Sequence, residues 1–172
     1  MACGSATLNG IVNACETSMG GVKNVWLAPY EEGAATIGSD AVSALTTDGF
    51  KHYYFKKNTA SMVSTLNIDA PNGVTYVTTE LQMVFNRMET TKRLEIAAMS
   101  VYDTMAVVED ANGVYWFLGF DNPLNATAAE GNSGVQKTDG NKYSITLSDE
   151  SNVWPYELKD DTAIAALKAL IK

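Results

Sequence analysis

Thr59-Ala-Ser-Met-Val-Ser-Thr-Leu-Asn-Ile-Asp69, then Ala70-Pro71-Asn72-Gly73, then Val74-Thr-Tyr-Val-Thr-Thr-Glu-Leu-Gln-Met-Val-Phe85, is the stretch whose reading decides the fold. In the first run Met62, Leu66 and Ile68 alternate with Ser61, Thr65 and Asn67. In the second, Val77, Leu81, Met83 and Phe85 alternate with Thr78, Glu80 and Gln82. Strict alternation marks strands with one covered and one wet face. Between them proline presets a turn φ and Asn-Gly tolerates a positive one, so the two runs form a long hairpin. A helix follows. Asn86 with Glu89 three residues on reads as a capping box with Asn at its head, and Leu94, Ala97, Ala98 and Val101 give an i, i+3, i+4, i+7 stripe for packing on a sheet.

Working outward toward the N-terminus, residues 1–21 are small, polar and glycine-rich, an arm with a short helical turn around Leu8–Cys15. Val22–Ala28 is a strand with Val22, Val25 and Leu27 toward the core, stopped by Pro29. Tyr30–Asp48 reads as a long polar loop. Phe50–Lys57 is an aromatic strand.

Toward the C-terminus, Asp103–Val108 and Val114–Phe120 are strands joined by Asp110-Ala111-Asn112-Gly113, and the second is apolar throughout. Asp121–Gly134 reads as another polar loop. Gly134–Thr138 and Lys142–Ser148 then form a hairpin around Asp139-Gly140-Asn141. Val153–Leu158, with Pro155, suits an edge strand. Asp160 or Asp161 caps a last helix, Thr162–Lys172, with Ile164, Leu167, Leu170 and Ile171 as its stripe. The order predicts an α+β, β-rich fold: an antiparallel β-sandwich or barrel with a long hairpin, one packed helix and a C-terminal helix. Its divisions are an arm (1–21), a β-rich domain (22–158) and the tail helix (159–172).

The 172 residues carry a net charge of −8 and a pI near 4.5. Lys56-Lys57 and Lys92-Arg93 are pairs, not a basic patch, which disfavours holding nucleic acid by its phosphates. The N-terminus lacks a basic and apolar leader, and no run reaches the ~18 apolar residues of a spanning helix. The expectation is a soluble chain made in a cytoplasm, with no membrane partner. Cys3 and Cys15 suit a disulfide or half a metal site; two unpaired thiols in a reducing compartment is the simpler reading, because no further ligand lies nearby in sequence.

No constellation of catalytic residues stands out, so the expectation is a protein that is not an enzyme, with no cofactor and no metal. The one histidine, His52, lies within the aromatic strand. Asp160-Asp161 is explained by capping, Glu31-Glu32 by a solvated loop, and Asp103, Glu109 and Asp110 by their places beside a strand and a turn. Gly131-Asn132-Ser133-Gly134 lacks the Gly-Lys-Ser/Thr ending of a phosphate loop. Asn125-Ala126-Thr127 matches a glycosylation acceptor, without the secretory leader that would give it meaning. Tyr53, Tyr54, Phe55, Tyr115, Trp116 and Phe117 could stack on sugars or bases; strand placement makes core or subunit contact the plainer role. A flavin-dependent enzyme on a β-barrel would need an Arg or Lys phosphate clamp that the sequence does not offer.

The hairpin Thr59–Phe85, the helix Asn86–Val101 and the ending strand pair Gly134…Asp139-Gly-Asn-Lys-Tyr-Ser-Ile-Thr-Leu-Ser148 together resemble the tail-tube proteins of tailed bacteriophages and their relatives in neck rings, in particular those of phages of gut Bacteroidetes (crAss-like phages). The resemblance spans about residues 20–158 and rests on element order, with no invariant motif. It implies a structural virion protein, assembled in the host cytoplasm. Such a protein forms a homo-oligomeric ring with other tail or neck proteins around a DNA channel. It also implies that Ser61, Thr65, Asn67, Thr78, Glu80 and Gln82 face the lumen, where DNA passes without specific binding. A virion decoration or carbohydrate-binding β-sandwich module is the alternative.

Overall fold

The computed structural model describes residues 10–12, 15 and 17–171. Cys3 and most of the helical turn expected around Leu8–Cys15 lie outside the described residues. Eleven strands and two helices are described. They are β1 Val22–Pro29, β2 Ala35–Gly38, β3 Ala41–Leu45, β4 Lys51–Tyr53, β5 Ala60–Asp69, β6 Val74–Asn86, α1 Thr90–Met99, β7 Thr104–Asp110, β8 Tyr115–Leu118, β9 Asn125–Asn132, β10 Lys142–Ser151, β11 Tyr156–Leu158 and α2 Asp161–Ala169. The fold is β-rich α+β.

The strands make two open sheets. One has the order β2-β3-β11-β8-β7-β1-β4, the other β5-β6-β10-β9. They stack as a sandwich, and neither sheet closes into a barrel within the chain. Adjacent residues of the central strands point into two different cores, as the period of a strand requires. Val25, Leu27, Ala106, Val108 and Leu118 face the four-stranded sheet, where they meet Leu81, Met83, Ile145 and Leu147. Trp26, Ala28, Met105, Val107 and Phe117 face the other way, onto Leu158, Ala163 and Leu167. The seven-stranded sheet is therefore covered on both sides, which explains the unbroken apolar runs of β1, β7 and β8.

Several expectations are corrected. The segment Tyr30–Asp48 is not a simple loop: β2 and β3 pair across Ser39 and Asp40, both at positive φ, the backbone of a tight two-residue hairpin turn. Its short, Ala-rich strands carry too little periodicity to be seen in sequence. The segment Asp121–Gly134 contains β9, which pairs with β10, while Gly134–Thr138 is not a strand. Only Lys51–Tyr53 of the aromatic run is strand. Val153–Leu158 yields β11, an interior strand, antiparallel to β8 and parallel to β3; Pro155 precedes it and leaves its ladder free.

The helix α1 starts later than expected. Asn86 is still in the ladder, opposite Lys142, so it is not available as a cap. Arg87 turns the chain at φ 65, and Asn141 holds the turn by accepting the N–H groups of Arg87 and Met88 at 2.6 Å each. Glu89 occupies the cap position without a side-chain bond to the backbone; its carboxylate pairs with Lys92 at 2.7 Å. The helix docks through Ile96 and Met99. The expected packing stripe of Leu94, Ala97, Ala98 and Val101 points outward instead. Both sides of this helix are apolar, so periodicity alone could not choose between them.

The C-terminal α2 behaves as its cap predicts. One Asp160 oxygen accepts the N–H groups of Thr162 and Ala163 at 3.0 and 3.2 Å, and the other accepts that of Leu45 at 3.2 Å. Ala163 and Leu167 are buried against the seven-stranded sheet; Ile164 is half-buried, and Leu170 and Ile171 are 37% and 41% exposed.

Candidate functional site

The hairpin β5–β6 is the most distinctive feature of the molecule. Its register runs from Ala60 opposite Met83 to Asp69 opposite Val74. The tip is tied by Asn72, whose side chain donates to Asp69 at 2.6 Å, and by the Gly73 N–H to the Ala70 carbonyl at 3.2 Å. Gly73 sits at φ 66, a conformation that the missing Cβ makes inexpensive.

Register decides the faces. Ser61 lies opposite Gln82, Val63 opposite Glu80, Thr65 opposite Thr78 and Asn67 opposite Tyr76. Ser61, Thr65, Asn67, Thr78, Glu80 and Gln82 therefore share one face, the one turned away from the core. Asn67 Nδ2 donates to Thr78 Oγ1 at 2.8 Å across that face. Glu80 is its one charged side chain short of the tip, where Asp69 adds another. Four residues that the alternation argument passed over also belong to it: exposed Val63 and Val74, and half-buried Tyr76 and Val84.

The opposite face changes along its length. Near the body, Ala60, Val77, Leu81 and Met83 are buried, and Ser64 and Thr79 share a hydroxyl hydrogen bond of 3.0 Å. Beyond that pair, Leu66 is 43% exposed and Ile68 67% exposed. Both were expected to face the core; the chain still covers Val77, opposite Leu66, but leaves Ile68 mostly open. The end of the hairpin thus has an apolar side only partly covered by its own chain.

Sheet edges tell the same story. The seven-stranded sheet ends in β2 and β4, of four and three residues, too short to template much pairing. The four-stranded sheet ends in β5 and β9, of ten and eight residues. Neither contains proline or lysine, the usual guards of an open edge. Nearly all of β9 is exposed.

Beside β9 stands α1, loosely seated. A groove of about 670 Å³ opens along its C-terminal half, lined by Leu27, Tyr30, Met99 and Tyr102 among others. Another, of about 550 Å³, opens along its N-terminal half, between Tyr54, Phe85 and Ile96. Between them Tyr53 Oη donates to Glu95 Oε2 at 3.1 Å; burial and that carboxylate push the phenol up to about 12.

The remaining sequence candidates are absorbed by the fold. His52 Nε2 lies 3.0 Å from Asn24 Oδ1, with its ring against Trp26, and burial lowers its pKa. Asn24 in turn donates to buried Glu109 at 2.6 Å, and Lys23 completes that carboxylate's pairing at 3.0 Å. Asp110 accepts the N–H groups of Asn112 and Val114, closing its turn. Phe55, Tyr115 and Phe117 are buried, Tyr53 and Trp116 half-buried, so of the six strand aromatics only Tyr54 is fully open. Glu31, Glu32, Asp103 and Cys15 are exposed. Among the described residues no three His, Cys, Asp or Glu side chains converge as metal ligands, and no helix is long and apolar enough to cross a membrane. No protein-family model, curated protein or solved structure matches the chain.

Proposed function

We propose that the chain is a ring-forming structural protein of a bacteriophage tail or neck, and that the polar face of the β5–β6 hairpin lines the channel through which DNA passes. The observation that carries the ring is the pair of long edges on the four-stranded sheet, neither with proline or lysine, although β9 carries a bulge at Thr127. All three of its internal pairings are antiparallel. With four strands, its two edge strands run in opposite directions. β5 of one copy then meets β9 of the next antiparallel, and the alternation continues from subunit to subunit. A contact between two different patches closes into a ring when its rotation allows, and closure removes the open edges.

The channel follows from the faces. A continued sheet puts Ser61, Thr65, Asn67, Thr78, Glu80 and Gln82 of every copy on one surface. Small hydroxyl and amide groups with a carboxylate give a weakly repulsive wall that does not grip phosphates, in keeping with the net charge of −8. The phage setting rests on the resemblance in element order.

Light scattering combined with negative-stain imaging of the full chain tests the reading. Rings with a central hole are expected. A chain that stays monomeric at every concentration, with no ring in any assembly, overturns it.

A further inference from the structure

Within that ring reading, we infer that the N-terminal arm of one copy crosses the β5 edge and that its Ile11-Val12 pair seats in the neighbouring copy's groove between α1 and β4, against Tyr54, Phe85 and Ile96.

Direction carries the argument first. The root of the arm is fixed by three hydrogen bonds. The Met19 N–H donates to Asn112 Oδ1 at 2.8 Å, Asn112 Nδ2 donates to the Met19 carbonyl at 3.0 Å, and the Ala111 N–H donates to the Gly21 carbonyl at 3.0 Å. Ala111 and Asn112 lie in the turn between β7 and β8, on one side of β1, and β4 lies on the other side. The arm therefore leaves β1 away from the grooves of its own α1. It leaves toward β5, since Met19 and Val22 share a cavity of about 220 Å³ with Ser61, Met62 and Trp116. The root takes its hydrogen bonds from the turn, so the β5 ladder stays open to a neighbour's β9.

Reach comes second. The internal registers put Met62 level with Leu81, Leu147 and, in β9, Ala126. They put the groove residue Phe85 level with Tyr143 and Gly131. Leu147 and Tyr143 mark levels about 14 Å apart along a strand, and the step from a sheet to the layer stacked on it adds about 10 Å, a span of about 17 Å. The chain from Met19 back to Val12 extends to about 23 Å. That surplus admits the stagger between copies that a closed sheet requires. A hairpin tip cannot take the same seat, because Leu66 lies level with Ser151, beyond the last pairing of β9 at Asn125.

Fit comes third. Ile11 is 99% and Val12 93% exposed, so their own chain offers them no cover. Glu16 is the one charged side chain in residues 1–21. The groove, of about 550 Å³, has a balanced rim, with Lys51 and Lys92 against Glu89 and Glu95. Such a rim does not oppose a nearly neutral segment, and burial of branched apolar side chains supplies the affinity. β4 is an edge strand, and its free ladder side can pair with extended backbone entering the groove.

The test uses the full chain carrying Cys3→Ser and Cys15→Ser. Val12→Cys and Thr91→Cys, at exposed positions of the arm and the groove, are made separately and then mixed. The expected result is a disulfide-linked dimer under mild oxidation at least tenfold more abundant in the mixture than in either variant alone. Equal cross-linking in each variant alone overturns the proposal, since it would pair like with like. Rings that form without a Val12→Cys to Thr91→Cys link overturn this contact and leave the ring reading standing; a persistent monomer overturns both. Both changes in one chain, oxidised at high dilution, should give no link, and an internal link would place the arm in its own groove and overturn the proposal. As an independent arm, Ile11→Asp with Val12→Asp should weaken assembly several-fold and leave the urea midpoint of the subunit where it was; unchanged assembly overturns the contact.

Discussion

Asp149 and Gly119 join the two sheets: Asp149 on β10, only 6% exposed, accepts the Gly119 N–H at 3.3 Å from the end of β8. Its other oxygen has no partner. Burial outweighs the hydrogen bonds from Gly119 and Thr79 and pushes this carboxyl from its ordinary 3.8 up to about 6. Between about pH 4 and 6 the folded chain thus holds a proton that the unfolded chain releases. The resulting stabilisation is full below about pH 4 and is lost as pH rises through about 6. Asp149→Asn, compared with the parent in urea melts, should be roughly 1–2 kcal/mol more stable at pH 8 and no more stable at pH 4. A variant less stable at pH 8 would refute the assignment.

Gly119 holds its own position by geometry. It sits at φ 86, and a Cβ there would lie 3.1 Å from Met105 Cα and 3.3 Å from the Thr104 carbonyl oxygen. Strain and backbone overlap act together, so Gly119→Ala should cost about 2–4 kcal/mol, read as a lowered urea midpoint. Gly113, at φ 83 in open space, is the control; alanine there pays the strain alone, about 1 kcal/mol.

Asp160 has two tasks, capping α2 and accepting the Leu45 N–H from β3. Asp160→Ala should therefore lose more than an ordinary cap, about 1–2 kcal/mol, while Asp160→Asn keeps the cap and loses only the Leu45 bond, because its amide nitrogen cannot accept. Thermal melts distinguish the two. Equal melting of the alanine variant and the parent would mean that α2 contributes little.

The hairpin's polar face predicts an effect that appears only with assembly. Glu80→Lys with Gln82→Lys should leave the stability of the subunit within about 0.5 kcal/mol, because both side chains are exposed. In assembled rings it should create salt-dependent retention of DNA that the parent lacks. Fluorescence anisotropy of labelled duplex against assembled protein reads this out.

Much of the fold was legible because local chemistry and tertiary packing agreed. The β5–β6 alternation, the Asp110–Gly113 turn and the Asp160 cap each have a strong local signal. The failures have a common cause. β9, with Asn125-Ala-Thr-Ala-Ala-Glu-Gly-Asn132, has no run of branched residues, and its pairing is enforced by β10 rather than by its own preferences. The orientation of α1 was illegible because Leu94 and Ile96 offer rival apolar sides, and the side that docks is set by tertiary packing of Ile96 and Met99. On the hairpin, alternation correctly separated Ser61 from Met62, but no sequence pattern says where the body beneath Leu66 ends.

High-resolution imaging of the assembled protein addresses the central claim most directly, because it shows what lies beside β5. The account predicts β9 of a neighbouring copy, antiparallel, with Ser61 and Gln82 turned toward a central hole. An assembly in which β5 borders solvent, or in which the hole is lined by the opposite sheet, would contradict it.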